Sequence, residues 1–444
     1  MRYRARRLPQ LQGPAAWDAI LPPRVPRPAL EGAGVADVVV VGAGFAGLSA
    51  TQRLLAHDPG LRVTVLEAGQ IGQGGTGRNS GFMIDLPHEL TSADYAGPGN
   101  DRAVIALNRK AQAFAAEAVA AYDIPRASFD RVGKVNGAAG AVADGHNTSY
   151  ARHLDTLDEP YERLDAQAMT ELTGSRHYVS GLYTPGTVML QPAGYIRGLA
   201  EGLARHVAIH EHSPVMGFVR AGSGWRVKTP GGHITCAKVI LAVNGHLESF
   251  GIARGRLMQV FLFASMTGAL PPEAQARLGG APRWGVTPSD PMGTTLRRID
   301  DALGGHRIVT RTCAVLAPGM RPSAGSLRRA AAVHRRKFDA RFPQLAGTPM
   351  EHVWSGHLCL SMNGVSVTGE IDTGLYSACV QNGLGTARGT LTGMGAADLV
   401  CGQASDITGY FTTEPKPSRL PPRPLREIGA NAVMRWREWR ARDE

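Results

Sequence analysis

Cysteine is scarce in this chain of 444 residues: Cys236, Cys313, Cys359, Cys379 and Cys401 are widely spaced, odd in number and form no C-x-x-C pair. That excludes a disulfide framework and offers no zinc-ligand spacing. The histidines show no ligand spacing either, so no metal is expected. No apolar run approaches the roughly 18 residues needed to cross a bilayer, so a transmembrane helix is not expected. Arg6-Arg7 are followed by Pro9, Gln10, Gln12, Gly13 and Pro14 rather than by an apolar stretch. They therefore do not open a twin-arginine signal, and the expected location is cytoplasmic. Aromatic residues make up only 6%, and the lysines and arginines behind the net charge of +11 are scattered except at the two ends. A basic stripe interleaved with aromatics is missing, which argues against nucleic-acid binding. No internal repeat is visible.

Glycine is what the chain has in excess. Its count of 55 in 444 is about 12%, against a usual ~7%, and without a collagen period this means tight turns and close backbone approaches. A phosphate-bearing ligand uses such approaches. Hydrophobic residues at 43% and charged residues at 19% are ordinary globular usage. The length points to two domains.

Residues 1–36, with Pro22-Pro23, Pro26 and Pro28, read as an extended surface arm. Residues 38–41 are a continuous β-branched run, the pattern of a strand buried on both faces in a parallel sheet. A helix is predicted over 45–55 and a second apolar strand over 62–66. Helical spacing recurs over 101–122, 191–210 and 326–342. Strands separated by glycine turns are predicted at 215–219, 225–229 and 238–243, a meander returning to a parallel strand. The runs at 257–266, 294–299 and 307–313 suggest an antiparallel sheet in a second domain. A strand at 375–379 enters a glycine loop, and a helix follows to 399. Residues 415–424 read as a proline-rich strap and 430–442 as a basic helix.

The chemistry starts at Gly42-Ala43-Gly44-Phe45-Ala46-Gly47. It matches G-x-G-x-x-G, whose glycines allow a tight turn, close approach to a pyrophosphate, and close helix-on-strand packing. The hexapeptide follows a buried strand, opens a helix, and precedes Glu67 at the end of the next strand. An acid there hydrogen-bonds a ribose 2′-hydroxyl and disfavours a 2′-phosphate. The ligand expected is therefore FAD or NAD. A second complete G-x-G-x-x-G for a nicotinamide domain is absent.

The next glycine-rich segment is Gly72-Gln73-Gly74-Gly75-Thr76-Gly77-Arg78-Asn79-Ser80-Gly81-Phe82. It resembles the corresponding loop of the D-amino-acid oxidase superfamily of flavoenzymes, nearest in pattern to gamma-glutamylputrescine oxidoreductases and glycine-oxidase-like members. The resemblance extends over nearly the whole chain and implies FAD as the cofactor. It also implies an α/β fold with a Rossmann-like, parallel-sheet FAD-binding domain and an antiparallel-sheet substrate domain. The expected FAD-binding segments are 37–95, 190–250 and 350–405; the substrate domain is 96–189 and 251–349, with a strap and helix at 406–444. Beyond Gly42, Gly44, Phe45, Ala46, Gly47, Glu67 and Ala68, the implied cofactor contacts are Thr76, Gly77, Arg78, Asn79, Ser80 and Gly81. Val215 is implied against adenine, and Gly383, Leu384, Gly385 and Thr386 at the flavin. Backbone N–H groups in a glycine nest and one guanidinium suit a pyrophosphate.

Departures from the family pattern matter. Val353-Trp354-Ser355-Gly356 stands where covalently flavinylated members carry a cysteine, so FAD is expected to be non-covalent. Leu384 replaces a histidine common in the C-terminal loop. The strand 307–313 has no match for the lysine by which sarcosine oxidases react with oxygen, so both oxygen and a carrier stay open as electron acceptors. The resemblance implies oxidation of the C–N bond of an amine or amino acid to an imine. An amino-acid carboxylate needs an arginine or tyrosine, and Arg297 is the expected anchor, with His88 expected on the substrate side of the flavin. His246 and Trp354 are weaker choices. Three rivals are a flavin monooxygenase or NAD-using dehydrogenase, against which the missing second G-x-G-x-x-G weighs, a flavin-stabilised interaction protein that no amine reduces, and a flavoenzyme acting on an anionic polymer.

Overall fold

A computed structural model describes residues 2–87, 100–290 and 292–444. The strand Gly32–Val41 is the axis of the first sheet, with the parallel strands Val63–Leu66 and Gly232–Leu241 on either side. Ala208–His210 extends the parallel array beyond Val63–Leu66, and Leu375–Cys379 extends it beyond Gly232–Leu241. Val38 and Val40 face the helical layer that contains Leu48, Leu199 and Leu391. Val39 and Val41 face Phe218, Trp225 and Leu375 on the other side. Two covered faces are why the run is continuously apolar rather than alternating.

The strand starts five residues before Asp37, because Gly32–Ala36 pair in register with Gly232–Cys236. The meander is present as Gly217–Ala221, Gly224–Lys228 and Gly232–Leu241. Residues 1–36 are more than a surface arm: Arg2–Arg4 pair with Gly217–Ala221, and the short helix Ala16–Ala19 carries the fully buried Trp17. The predicted helix over 191–210 is Pro192–Leu203, and the chain then enters the strand Ala208–His210.

The second sheet has eight strands. It runs from Met350–Ser361 through Leu257–Thr267, Arg307–Leu316, Thr295–Ile299, Trp284–Pro288, Lys134–Ala138 and Ser180–Thr184 to Glu162–Asp165. All pairings are antiparallel except Trp284–Pro288 with Lys134–Ala138, so the expectation of a purely antiparallel sheet is corrected at that point. Met350–Ser361, expected among the cofactor-binding segments, is instead the edge strand here, paired along Leu257–Thr267. Helix Ala324–Arg341 covers one face with Ala330 and Phe338. The opposite face, with Ala264, Met266, Val309 and Trp354, packs on Trp17 and Ala193 and so meets the first sheet's segments.

Candidate functional site

The glycine turn lies at the carboxyl end of the central strand. Gly42 has φ +102°, and a Cβ there would sit 2.6 Å from the Ala242 carbonyl oxygen. A Cβ on Gly47 would overlap the Gly42 carbonyl, and one on Gly44 would meet Thr76 Cγ2 at 3.2 Å. Gly42 and Gly47 thus tolerate no side chain, whereas at Gly44 the Thr76 side chain would have to give way. Helix Phe45–His57 begins at Gly44 without a side-chain cap, so its first N–H groups and its positive dipole end are open to an anion. Asn244, just beyond the adjoining strand, has a buried Oδ1 with no partner among the described residues. A pyrophosphate-bearing cofactor fits this cradle.

Glu67 closes the cradle's other side. Its carboxylate accepts from Ala43 N at 2.9 Å and Gly69 N at 3.0 Å. Packing of protein atoms around it pushes its carboxyl up, opposed by those backbone N–H groups, although the residue keeps an opening to solvent. Ala68 follows it, and Ser213 N donates to the Glu67 carbonyl at 2.8 Å, which brings the buried Val215 into the same neighbourhood.

The loop after Gly72 holds a fixed shape. Its short 3-10 turn Gly75–Arg78 puts Thr76 beside Gly44, and Gly77 is buried behind it. Asn79 Oδ1 accepts from Gly81 N at 2.7 Å, and Asn79 Nδ2 donates to Thr76 O at 2.6 Å. Ser80 and Asn79 stay half-buried. The Arg78 guanidinium does not point at the cradle. It donates to the carbonyls of Gln73, Gln12, Gly13 and Ser355, and burial pushes it down to about 10. The expectation that it grips a pyrophosphate is therefore corrected: its donors are already committed to tying the loop to the N-terminal segment and the edge strand. The C-terminal loop arrives from the other side, where Thr386 Oγ1 donates to Phe82 O at 2.7 Å. Gly383 and Gly385 are exposed, Leu384 is half-buried, and a Cβ on Gly385 would meet nothing.

Arg297 is misassigned as the substrate anchor. It is 2% exposed, and its Nη1 donates to the carbonyls of Gly81 (3.1 Å) and Leu190 while its guanidinium lies 4.9 Å from the Trp17 ring. Arg297 clamps the loop. A guanidinium that sequence reading missed is Arg311, the residue after Thr310 in the strand Arg307–Leu316. Its neighbours across the strands are Thr295 and Ala264, and Val309, two residues before it, pairs with Arg297. Alternation places Arg311 on the same face as Arg297, the face turned to the flavin loop. It is half-buried, has no hydrogen-bond or ion-pair partner among the described residues, and burial alone pushes it down to about 10. A half-buried, unpartnered guanidinium is a place for an anion. The available signal was a lone charge inside the apolar run 308–316.

His88 lies outside the described residues. His246 is edge-on to His357 at 5.4 Å, and burial pushes the two down to about 4 and about 3, so both are neutral. Trp354 is fully buried and donates to Arg78 O at 3.1 Å, which makes it a wall of the loop. Among the described residues no cluster of histidine, cysteine and carboxylate could hold a metal, and no helix is long and apolar enough to cross a membrane.

Residues 37–399 match the family described as FAD dependent oxidoreductase. The chain is 24% identical over 412 residues to the probable oxidoreductase OrdL of Rhizobium meliloti (strain 1021), covering 88% of this chain and 89% of that protein. It is 24% identical over 386 residues to gamma-glutamylputrescine oxidoreductase of Escherichia coli (strain K12), covering 84% and 85%. The solved glycine oxidase of Geobacillus kaustophilus matches with a TM-score of 0.68 over 86% of this chain and 100% of that one, at 19% identity, a likeness of fold. A family match over most of the chain settles the class: the chain belongs to the FAD dependent oxidoreductase family and is an FAD-dependent enzyme.

Proposed function

We propose that this enzyme oxidises the C–N bond of an amine that also carries a carboxylate, an amino acid or close derivative, to an imine that water then hydrolyses. The observation that carries this reading is Arg311, a cation without a partner among the described residues, on the face turned to the flavin loop. Relatives are named for gamma-glutamylputrescine and for glycine, both amines with a carboxylate.

When bound, FAD supplies the two-electron acceptor for a hydride from the substrate carbon. The rest is positioning by this chain. Gly42, Gly44 and Gly47, with the first N–H groups at Phe45 and Ala46, receive the pyrophosphate; Glu67 and Ala68 take the ribose, and the Val215 backbone faces adenine. The backbone of residues 76–81 and the loop 383–386 border the flavin, which is held non-covalently. Arg311 orients the substrate by its carboxylate so that its carbon faces the ring, and the amine reacts as its free base. Electrons leave to oxygen or a carrier. Five free cysteines, four of them buried, suit a reducing compartment, so the proposed location is the cytoplasm.

Anaerobic mixing of the yellow holoenzyme with matched pairs of amino acids and their decarboxylated amines tests this. An amino acid should bleach the flavin far faster than its amine. Arg311→Ala should raise KM for the amino acid about 10- to 100-fold, with Arg311→Lys partly restoring it. Equal bleaching within each pair, or an unchanged preference in Arg311→Ala, would refute the carboxylate assignment.

A further inference from the structure

The C-terminal helix Leu425–Arg440 has no fully buried residue. Its inner side is accounted for. Asn431 and Glu438 accept from Leu316 N and Ala314 N, while Ala430 and Met434 pack beside Val260, Ala314 and Leu316. The outer side is apolar: Leu425 is 66%, Ile428 65%, Trp436 52% and Trp439 61% exposed. At about 100° per residue these four fall within an arc of roughly 80°. Arg440 lies over the Trp436 ring at 5.0 Å and Arg442 over Trp439 at 4.9 Å.

Two clefts open at the amino end of this helix and share Pro318 and Arg426. One, of about 430 Å³, is apolar, with Leu257, Met258, Met362 and Leu425 in its wall. The other, of about 410 Å³, brings together Arg6, Arg7, Arg254, Arg423 and Arg426 with Glu248. Glu427 pairs with Arg423 and Arg426, so five guanidiniums there meet two carboxylates. Glu248 is already engaged by Gly255 N and Gln259 Nε2.

We propose that this face docks on an anionic bilayer, with Trp436, Trp439, Leu425 and Ile428 entering the headgroup layer and the arginine cleft receiving lipid phosphates. An apolar arc edged by arginines is the composition of a helix that lies in the membrane interface. Tryptophan favours that depth because its ring is apolar and its N–H is polar. An apolar cleft joined to a basic one matches a chain beneath a phosphate. A nucleic acid would fill the basic cleft and leave the apolar arc bare, and a second copy of this chain would set arginine against arginine. The proposal is independent of which amine is oxidised.

The test uses the full-length holoenzyme and vesicles of phosphatidylcholine, alone or with one-third phosphatidylglycerol. Flotation should require the anionic lipid and weaken with salt. Of the six tryptophans, Trp17, Trp225, Trp284 and Trp354 are buried, so quenching by brominated lipid reads Trp436 and Trp439. Arg6→Gln with Arg254→Gln should weaken binding about 25-fold, at about fivefold per arginine. Trp436→Ser with Trp439→Ser should abolish quenching and flotation, and both variants should keep FAD content and flavin reduction unchanged. Absence of flotation, equal flotation on neutral vesicles, unchanged binding in the tryptophan variant, or a dimer in lipid-free solution that this variant dissociates would each overturn the proposal.

Discussion

Three buried or half-buried guanidiniums have two different uses here, and partner inventory separates them. Arg78 and Arg297 donate to backbone carbonyls and hold the flavin loop in place, whereas Arg311 has nothing to bind within the described protein. Chain position alone could not distinguish Arg297 from Arg311, because both lie on strands and share one face. Gly81 shows what the clamp demands of its target. Its φ is +77°, and a Cβ there would overlap Arg297 Nη1 and sit 2.7 Å from Leu190 O. Gly81→Ala should therefore cost about 2–4 kcal/mol, from the left-handed backbone and the displaced guanidinium. It should also lower the FAD retained on purification. Thermal melts and the flavin-to-protein ratio check this, and a variant with wild-type values would remove the clamp from the account.

Elements here are finished by their neighbours rather than by their own propensities. Helix Phe45–His57 lacks a side-chain cap because its N-terminus faces the cofactor cradle. The strand Arg307–Leu316 outruns its partner Thr295–Ile299, whose pairing ends at Arg311, so its last residues would present open backbone groups on that side. Asn431 and Glu438, two helical turns apart, take up Leu316 N and Ala314 N, and Asn431 Nδ2 returns a bond to Leu316 O at 3.3 Å. An open edge of this kind invites wrong pairing. Asn431→Ala with Glu438→Ala should release the helix, with a loss of about 1–3 kcal/mol per freed group. Limited proteolysis near residue 420 should then speed up while the FAD site stays intact. Equal cleavage rates in variant and wild type would mean that the apolar contacts of Ala430 and Met434 hold the helix alone.

Across the whole molecule, one buried and two half-buried histidines link stability to acid. Burial pushes His246 and His334 down to about 4 and His357 to about 3. His334 Nε2 donates to Thr312 O and Nδ1 pairs with Ser265 Oγ at 2.6 Å, partners that accommodate the neutral ring favoured by burial. Each group has a folded value below its ordinary 6.5, so the unfolded chain takes up protons that the folded one refuses. Their contribution is complete above pH 6.5 and is lost as pH falls toward 4 for His246 and His334, about 3 kcal/mol for each, and toward 3 for His357. Glu444 acts in the opposite direction: burial lifts it to about 7, so its contribution is present at low pH and lost as pH rises through 7. The melting temperature should drop across pH 6.5 to 4, and His334→Gln should flatten part of that slope. Parallel profiles for variant and wild type would exclude His334 from the linkage.

Local pattern alone determined the parallel βαβ start, the glycine cradle, Glu67 and the class of cofactor, because each depends on residues close together in the chain with a fixed period or turn. The meander and the long helix Asp101–Ala121 were readable for the same reason. Tertiary structure decided the rest. Met350–Ser361 joined the second sheet because its partner, Leu257–Thr267, lies about ninety residues away in the chain, beyond the reach of local periodicity. Gly32–Ala36 became strand because Gly232–Cys236 was there to pair with them. Arg78 and Arg297 turned to carbonyls and Arg311 was left without a partner among the described residues through the same cause: a guanidinium's role follows from which acceptors folding brings within reach, and those acceptors come from distant segments.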